Sequence, residues 1–266
     1  MKKYNYCKDK LEYEGKYVNG LKNGYFKEYH KNGGLKFEGF YVDEQKKGKG
    51  KEYNIEGEII FEGEYLNNKR WNGKGKEYDI YSNKLIYEGD YLNGEKSGKI
   101  KEYDRYTGKL VIEGEYLNGK KNGFIKEYCP NGSLELEGEY LNGEKNGYIK
   151  EYNYNGIVFE GEYIKGERSG KGKEYNYDGE LIFEGEYLKN KKIKGKGYRN
   201  NKLIYEGEYL NGSWNGTGKE YYENGKIKYI GRFLDGKWNG KGKEYFKNGK
   251  IKYEGIFSSG KIVKKK

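Results

Sequence analysis

The sequence predicts an all-β chain: an elongated, twisted antiparallel meander, solenoid-like, of about ten two-stranded hairpin repeats. Three observations carry this. A strand-like segment patterned on aromatic-Glu-Gly-x-aromatic recurs eleven times, centred on Gly15, Gly39, Gly63, Gly89, Gly114, Gly138, Gly161, Gly185, Gly207, Gly231 and Gly255. The spacings are 24, 24, 26, 25, 24, 23, 24, 22, 24 and 24 residues, and self-similarity at that period marks stacked supersecondary units. No stretch shows helical periodicity, and the single proline, Pro130, falls in a turn sequence. Finally, the 33 tyrosines keep fixed places in the repeat. That register overrules the disorder suggested by 36% charged residues and by only 50 Leu, Ile, Val and Phe in 266. The core should consist of aromatic bodies.

Residues 1–10 read as an N-terminal cap, 11–257 as the repeat array and 258–266 as a basic tail. In one repeat, Phe61-Glu62-Gly63-Glu64-Tyr65 alternates with period two, placing both rings and Gly63 on one face and both carboxylates on the other. Leu66-Asn67-Asn68-Lys69 opens a connection that elsewhere reads Asn93-Gly94, Asn118-Gly119 or Asn142-Gly143, residues that accept the positive φ of tight hairpin turns. Gly75-Lys76-Glu77-Tyr78 is the second strand, and turns such as Asn131-Gly132, Asp178-Gly179 and Asn248-Gly249 lead onward. Stacked at strand spacing, the array would extend on the order of 100 Å and coil.

A glycine inside a strand weakens it unless something must approach closely. The structural positions of the repeat are therefore Gly63, Gly89, Gly114, Gly138, Gly161, Gly185 and Gly207 with the rings Tyr65, Tyr78, Tyr91, Tyr103, Tyr116 and Tyr128. The second-strand tyrosine is the expected cover for each glycine. It follows 14 residues later in eight of ten repeats, 15 at Gly63 to Tyr78 and 13 at Gly185 to Tyr198. The outward Glu of the first strand and Lys of the second should pair across strands.

Net charge is +11, but from Glu186 onward there are 21 Lys and Arg against 8 Asp and Glu. That excess reads either as an attraction for an acidic partner, anionic membrane or nucleic acid, or as a solubilising tail guarding a sheet edge. Trp71, Trp214 and Trp238 each precede Asn-Gly, where other repeats carry Lys, Ser or Arg-Ser. Such optional rings suggest exposure and partner contact, or local packing. With Lys237, Lys241, Lys243, Lys247, Lys250 and Lys252 they make the candidate partner or lipid surface.

Reactive chemistry is sparse. His30, the only histidine, sits in a turn, and Cys129 has no histidine to activate it. Cys7 falls in the cap. Runs such as Gly48-Lys49-Gly50 and Gly240-Lys241-Gly242 precede no helix and lack the phosphate-loop continuation. The expectation is no catalytic, metal or cofactor site, hence no enzyme and no small-molecule substrate. The opening MKKYNYCKDK leads into no apolar h-region. The expected setting is cytoplasmic, with peripheral membrane association as a variant.

The unit Asn-Gly-x-x-x-Gly-x-x-x-Tyr…Asn-Gly-Lys-x-x-x-Glu-Gly-x-Tyr, clear at Tyr205 to Tyr221 and Tyr229 to Tyr245, resembles the MORN repeat in its shorter-turn variant. Repeat eight departs from it at Lys194-Gly195-Lys196-Gly197-Tyr198, and repeat ten at Ile230-Gly231-Arg232. The family's frequent second-strand Trp is Gly75, Ile100 or Gly172 here. The resemblance implies an extended twisted sheet with a groove along one side, acting as a scaffold or self-associating module. It also implies contact with anionic phospholipid in some members, and an antitoxin-like inhibitor role in bacterial relatives. The leading expectation is a non-enzymatic scaffold that binds a protein partner or itself. The alternative is a peripheral module binding anionic lipid through the basic C-terminal third. Nucleic acid is disfavoured, because the periodic tyrosines should be buried.

Overall fold

The computed structural model describes residues 2–4 and 10–266; Met1 and residues 5–9, with Cys7, lie outside it. Among the described residues every helix or strand element is a β-strand, and the chain divides into two compact units, 1–133 and 134–266. The first unit holds β1 (Lys2–Tyr4), β2 (Leu11–Val18), β3 (Leu21–Tyr29), β4 (Leu35–Val42), β5 (Gln45–Tyr53), β6 (Ile59–Leu66), β7 (Lys69–Tyr78), β8 (Leu85–Leu92), β9 (Glu95–Tyr103), β10 (Leu110–Leu117) and β11 (Lys120–Tyr128). Each pairs antiparallel with the next. The second holds β12 (Leu134–Leu141), β13 (Glu144–Asn153), β14 (Gly156–Ile164), β15 (Glu167–Tyr175), β16 (Leu181–Leu188), β17 (Lys191–Arg199), β18 (Lys202–Leu210), β19 (Ser213–Tyr221), β20 (Ile227–Leu234), β21 (Lys237–Tyr245), β22 (Ile251–Ser258) and β23 (Lys261–Lys265). These too pair in hairpin order. The stretch expected as a basic tail thus contains a paired strand, β23.

Two turn chemistries set the register. Within a repeat the connection is a two-residue turn with both residues left-handed, as at Asn93 (φ 53°) and Gly94 (φ 81°), or Asn118 (φ 51°) and Gly119 (φ 73°). This geometry matches the natural twist of a hairpin, which is why Asn-Gly recurs there. Between most repeats the loop is longer, although two residues suffice between β13 and β14 and between β17 and β18. Gly57 (φ 88°) donates its N–H to the Asn54 carbonyl at 3.1 Å, and Asn54 donates to the Glu58 carbonyl at 2.9 Å, a turn closed by a glycine bulge.

One face of each sheet carries the core. The ring two residues before the central glycine and the ring two residues after it are buried: Phe37 and Tyr41, Phe61 and Tyr65, Tyr87 and Tyr91 in the first unit, Phe159 and Tyr163, Phe183 and Tyr187, Tyr205 and Tyr209 in the second. They meet edge to face and continue from repeat to repeat, with Phe183 5.4 Å from Tyr187 and 5.2 Å from Tyr209 between centroids. That arrangement suits ring quadrupoles, at about 0.5–1.5 kcal/mol per pair beyond area burial.

The cover over the glycines is not the second-strand tyrosine. Gly39 faces Gly50, and Tyr53 lies three residues beyond Gly50, an odd number that turns it to the opposite face. Its hydroxyl donates to Glu38 there, at 2.7 Å, as Tyr103 does to Glu88 at 2.6 Å. Most of the glycines are covered instead by the ring two residues earlier on their own strand, whereas Gly15 is covered by Phe26 of the facing strand. A Cβ at Gly185 would lie 2.7 Å from Phe183 and 2.2 Å from the Lys194 carbonyl, and one at the facing Gly195 would lie 2.7 Å from Phe183. One ring therefore lies flat over a pair of glycines. Where the facing residue is Ile125 or Ile149, the covering ring gives way to Ile112 or Leu136, so volume is exchanged across those two hairpins, whereas Tyr87 is kept where Ile100 faces Gly89. Gly185→Ala should consequently destabilise by about 1–3 kcal/mol through overpacking against backbone. Gly197→Ala, which meets only the Tyr209 hydroxyl within 3 Å, should cost less. Paired urea titrations compare the two, and equal midpoints would refute the close-approach account.

Candidate partner-binding groove on the polar face

On the ring face, most covering rings are capped by a cation from the start of the second strand. Lys46 Nζ stands 3.7 Å from the Phe37 centroid, and the Arg168 guanidinium 3.8 Å from that of Phe159. These cations also tie neighbouring repeats together: Arg168 reaches Glu151 of the preceding repeat at 2.6 Å and Glu174 of its own at 3.3 Å. Burial opposes the charge on Glu151, but hydrogen bonds from Lys145, Tyr163 and Arg168 win and hold its carboxyl below the ordinary range.

The tryptophans fit into this scheme. Trp214 and Trp238 take the capping position, stacked on Tyr205 and Tyr229 at 4.5 Å with interplanar angles of 4° and 5°. They are half-buried ring covers. Gly197 occupies the place that Glu174 holds in the preceding repeat, facing Phe183 and Tyr205. The exchange of a cation for Trp214 is thus matched by the loss of its carboxylate partner. Glu220 is held instead by the Trp238 indole N–H (2.7 Å) and Lys228 (2.6 Å). Trp71 is equivalent only in its backbone, its carbonyl accepting from Gly94 N–H as that of Trp214 accepts from Gly236. Because β7 holds one extra residue, Arg70 takes the capping role, 5.0 Å over Phe61, and Trp71 packs toward Gly94. The 15-residue spacing of Gly63 to Tyr78 was the sequence signal for that insertion.

The opposite face is polar. In the second unit it carries a groove of about 930 Å³ whose floor is the backbone of Gly172, Gly185, Gly195, Gly207, Gly218 and Gly231. Six successive strands, β15 to β20, supply this floor, a span of roughly 24 Å at strand spacing. Its walls alternate Lys173, Lys196 and Lys219 with Glu160, Glu184 and Glu206. The expected cross-strand pairs are present: Lys173–Glu160 at 3.8 Å, Lys196–Glu184 at 3.3 Å and Lys219–Glu206 at 3.5 Å. Each carboxylate also accepts from a second-strand tyrosine, Tyr175, Tyr198 or Tyr221, at 2.8, 2.6 and 2.9 Å. Glu184 and Glu206 are held below the usual carboxylate range chiefly by those phenols. Glu160 is held low too, hydrogen bonds from Tyr175 and Tyr148 outweighing its burial. Burial, with Glu160 beside it, pushes the Tyr175 phenol up to about 12. Carboxylates biased toward ionisation are anchors for hydrogen bonds; a general acid needs the opposite shift.

The six candidate lysines do not form one cluster. Lys241 and Lys243 lie on the polar face, facing Ile256 and Glu254. Lys252 reaches Glu244 at 2.8 Å, a residue that faces the core rings Tyr229 and Tyr253. Lys237 begins β21, while Lys247 and Lys250 flank the loop after it, at the other end of that strand. His30, in the turn after β3 as expected, is half-buried with Nε2 2.8 Å from the Tyr53 carbonyl, linking adjacent turns. Among the described residues no cluster of His, Cys, Asp and Glu has the arrangement of a metal site. The resemblance implied a groove along one side; what the sequence reading did not place is its glycine floor, present beforehand only as the Gly-x-Gly runs.

The family model of the MORN repeat matches residues 13–34, 87–99, 113–134, 137–148, 159–180, 205–227 and 229–251. No curated protein matches the chain. Among solved structures, alternansucrase in complex with isomaltononaose is similar over 91% of this chain and 16% of its own, at 16% identity and a TM-score of 0.19. A likeness that weak carries no argument.

Proposed function

Because the chain belongs to the MORN repeat family, whose members are generally non-enzymatic repeat scaffolds for protein or membrane-lipid interaction, we propose that it is itself such a scaffold and holds a segment of a partner protein in the polar-face groove of its second unit. The observation that carries this reading is the groove: about 930 Å³, floored by bare backbone and walled by alternating ammonium and carboxylate groups. Those walls are fixed in place by the tyrosine hydroxyls, so a bound segment meets a preorganised surface and little side-chain entropy is lost on docking. The lipid reading is supported less well, since a membrane presents a plane and the candidate lysines are distributed over two faces and both strand ends.

A photo-crosslinking amino acid in place of Thr217, which lines the groove, tests the proposal against the same group at Lys226, an exposed loop position. The expected result is protein adducts from position 217 and not from 226. Adducts at neither position, or equally at both, would count against the groove; adducts consisting only of a second copy would replace a partner with self-association.

A further inference from the structure

Across most of the second unit, every polar-face lysine of a second strand is flanked by carboxylates. Glu184 stands between Lys173 and Lys196, and Glu206 between Lys196 and Lys219. At the last repeats this alternation fails. Ile230 takes the carboxylate position between Lys219 and Lys243, and Ile256 that between Lys241 and Lys264. Arg232 stands in place of the second outward Glu and faces Thr217. The remaining carboxylate, Glu254, is already engaged by Lys243 at 3.3 Å and Lys266 at 3.1 Å. Among the described residues no ion pair engages Lys241 or Lys264 within 4.0 Å. A groove of about 520 Å³ lies here, with the half-buried Ile230 and the 39%-exposed Ile256 among Lys241, Lys243 and Lys264, while Lys265 holds its Nζ over the Tyr253 ring, 4.6 Å from the centroid.

One exposed and one half-buried aliphatic side chain, beside two ammonium groups that no ion pair engages, Lys241 and Lys264, select a particular ligand chemistry. An acidic chain satisfies the cations, and only an apolar side chain can cover the isoleucines without stranding a polar group. We propose that this site, between β20 and β23, receives an acidic peptide segment of a partner protein, one that presents a Leu, Ile or Phe flanked by Asp or Glu. This deepens the scaffold reading and rests on it. An anionic membrane fits less well, because these cations surround a recess.

The test restores the alternation of the other repeats. Ile230→Glu with Ile256→Glu puts carboxylates where neighbouring repeats already carry them on the same strand register, so the fold is kept, which circular dichroism and the melting temperature verify. The probe is a fluorescein-labelled twelve-residue peptide of Asp and Glu with Leu at every third position, followed by anisotropy. The wild-type chain should bind it, more weakly as salt rises, and the double variant should lose at least about tenfold in affinity through like-charge repulsion. A Lys-for-Asp/Glu version of the peptide should not bind. Equal binding by wild type and double variant, or binding only to vesicles of one-third phosphatidylserine and not to the peptide, would overturn the proposal. Adducts at position 217 that persist while the acidic peptide fails would leave the scaffold standing and remove this site alone.

Discussion

Phe183→Ala is expected to cost about 3–5 kcal/mol of unfolding free energy, the range for truncating a buried aromatic. Phe183 is 1% exposed and joins three structural tasks. It lies over the glycine pair Gly185 and Gly195, and it bridges Tyr187 and Tyr209 of successive repeats. Lys192 rests above it, 4.5 Å from its centroid, while pairing with Glu174 at 2.6 Å. No neighbour can collapse into the vacancy, because the glycines beneath have no side chains to rearrange. Urea unfolding followed by tryptophan fluorescence measures the loss. A change below about 1 kcal/mol would mean that the ring ladder is not what holds neighbouring repeats together.

The second large effect is electrostatic. Arg168→Met keeps an apolar stem over Phe159 but removes the guanidinium that serves Glu151 and Glu174, leaving two half-buried carboxylates short of a partner. About 2–3 kcal/mol should be lost at neutral pH, below the figure for fully buried pairs because solvent still reaches all three groups. The pH dependence supplies the diagnostic. The folded-state pKa of Glu151 is depressed, so its contribution is present above the unfolded carboxylate value of 4.5 and is lost as pH falls through the depressed folded value. The difference between wild type and variant should therefore shrink as the medium is acidified into that range. A difference that stays constant down to pH ~3 would assign the effect to cation–ring packing alone.

The sequence made the array legible because each repeat restates the same alternation, and Asn-Gly dictates its own turn. It misled over the tyrosines. The spacing of 14 residues gave proximity, whereas the face depends on parity relative to the glycine of the facing strand, which is fixed only by register. Trp71 shows the same limit, since one inserted residue separated its backbone role from its side-chain role. Gly197 and Ile230 were visible as departures from the repeat. Their meaning needed the pairing: Gly197 could be matched to Trp214 only through the cation–carboxylate row on the ring face, and Ile230 became informative once Lys219 and Lys243 stood on either side of it.

The two-residue turns bear on how the chain reaches this state. Each turn closes the smallest hairpin that a strand pair allows, and within each unit every pairing joins strands adjacent in sequence. Contact order is therefore low for an all-β protein, a topology that ordinarily folds slowly because distant segments must find one another. Here nucleation can begin at any hairpin and spread to the next, so a chain emerging from the ribosome can add strands as they appear, without waiting for a segment still to be made.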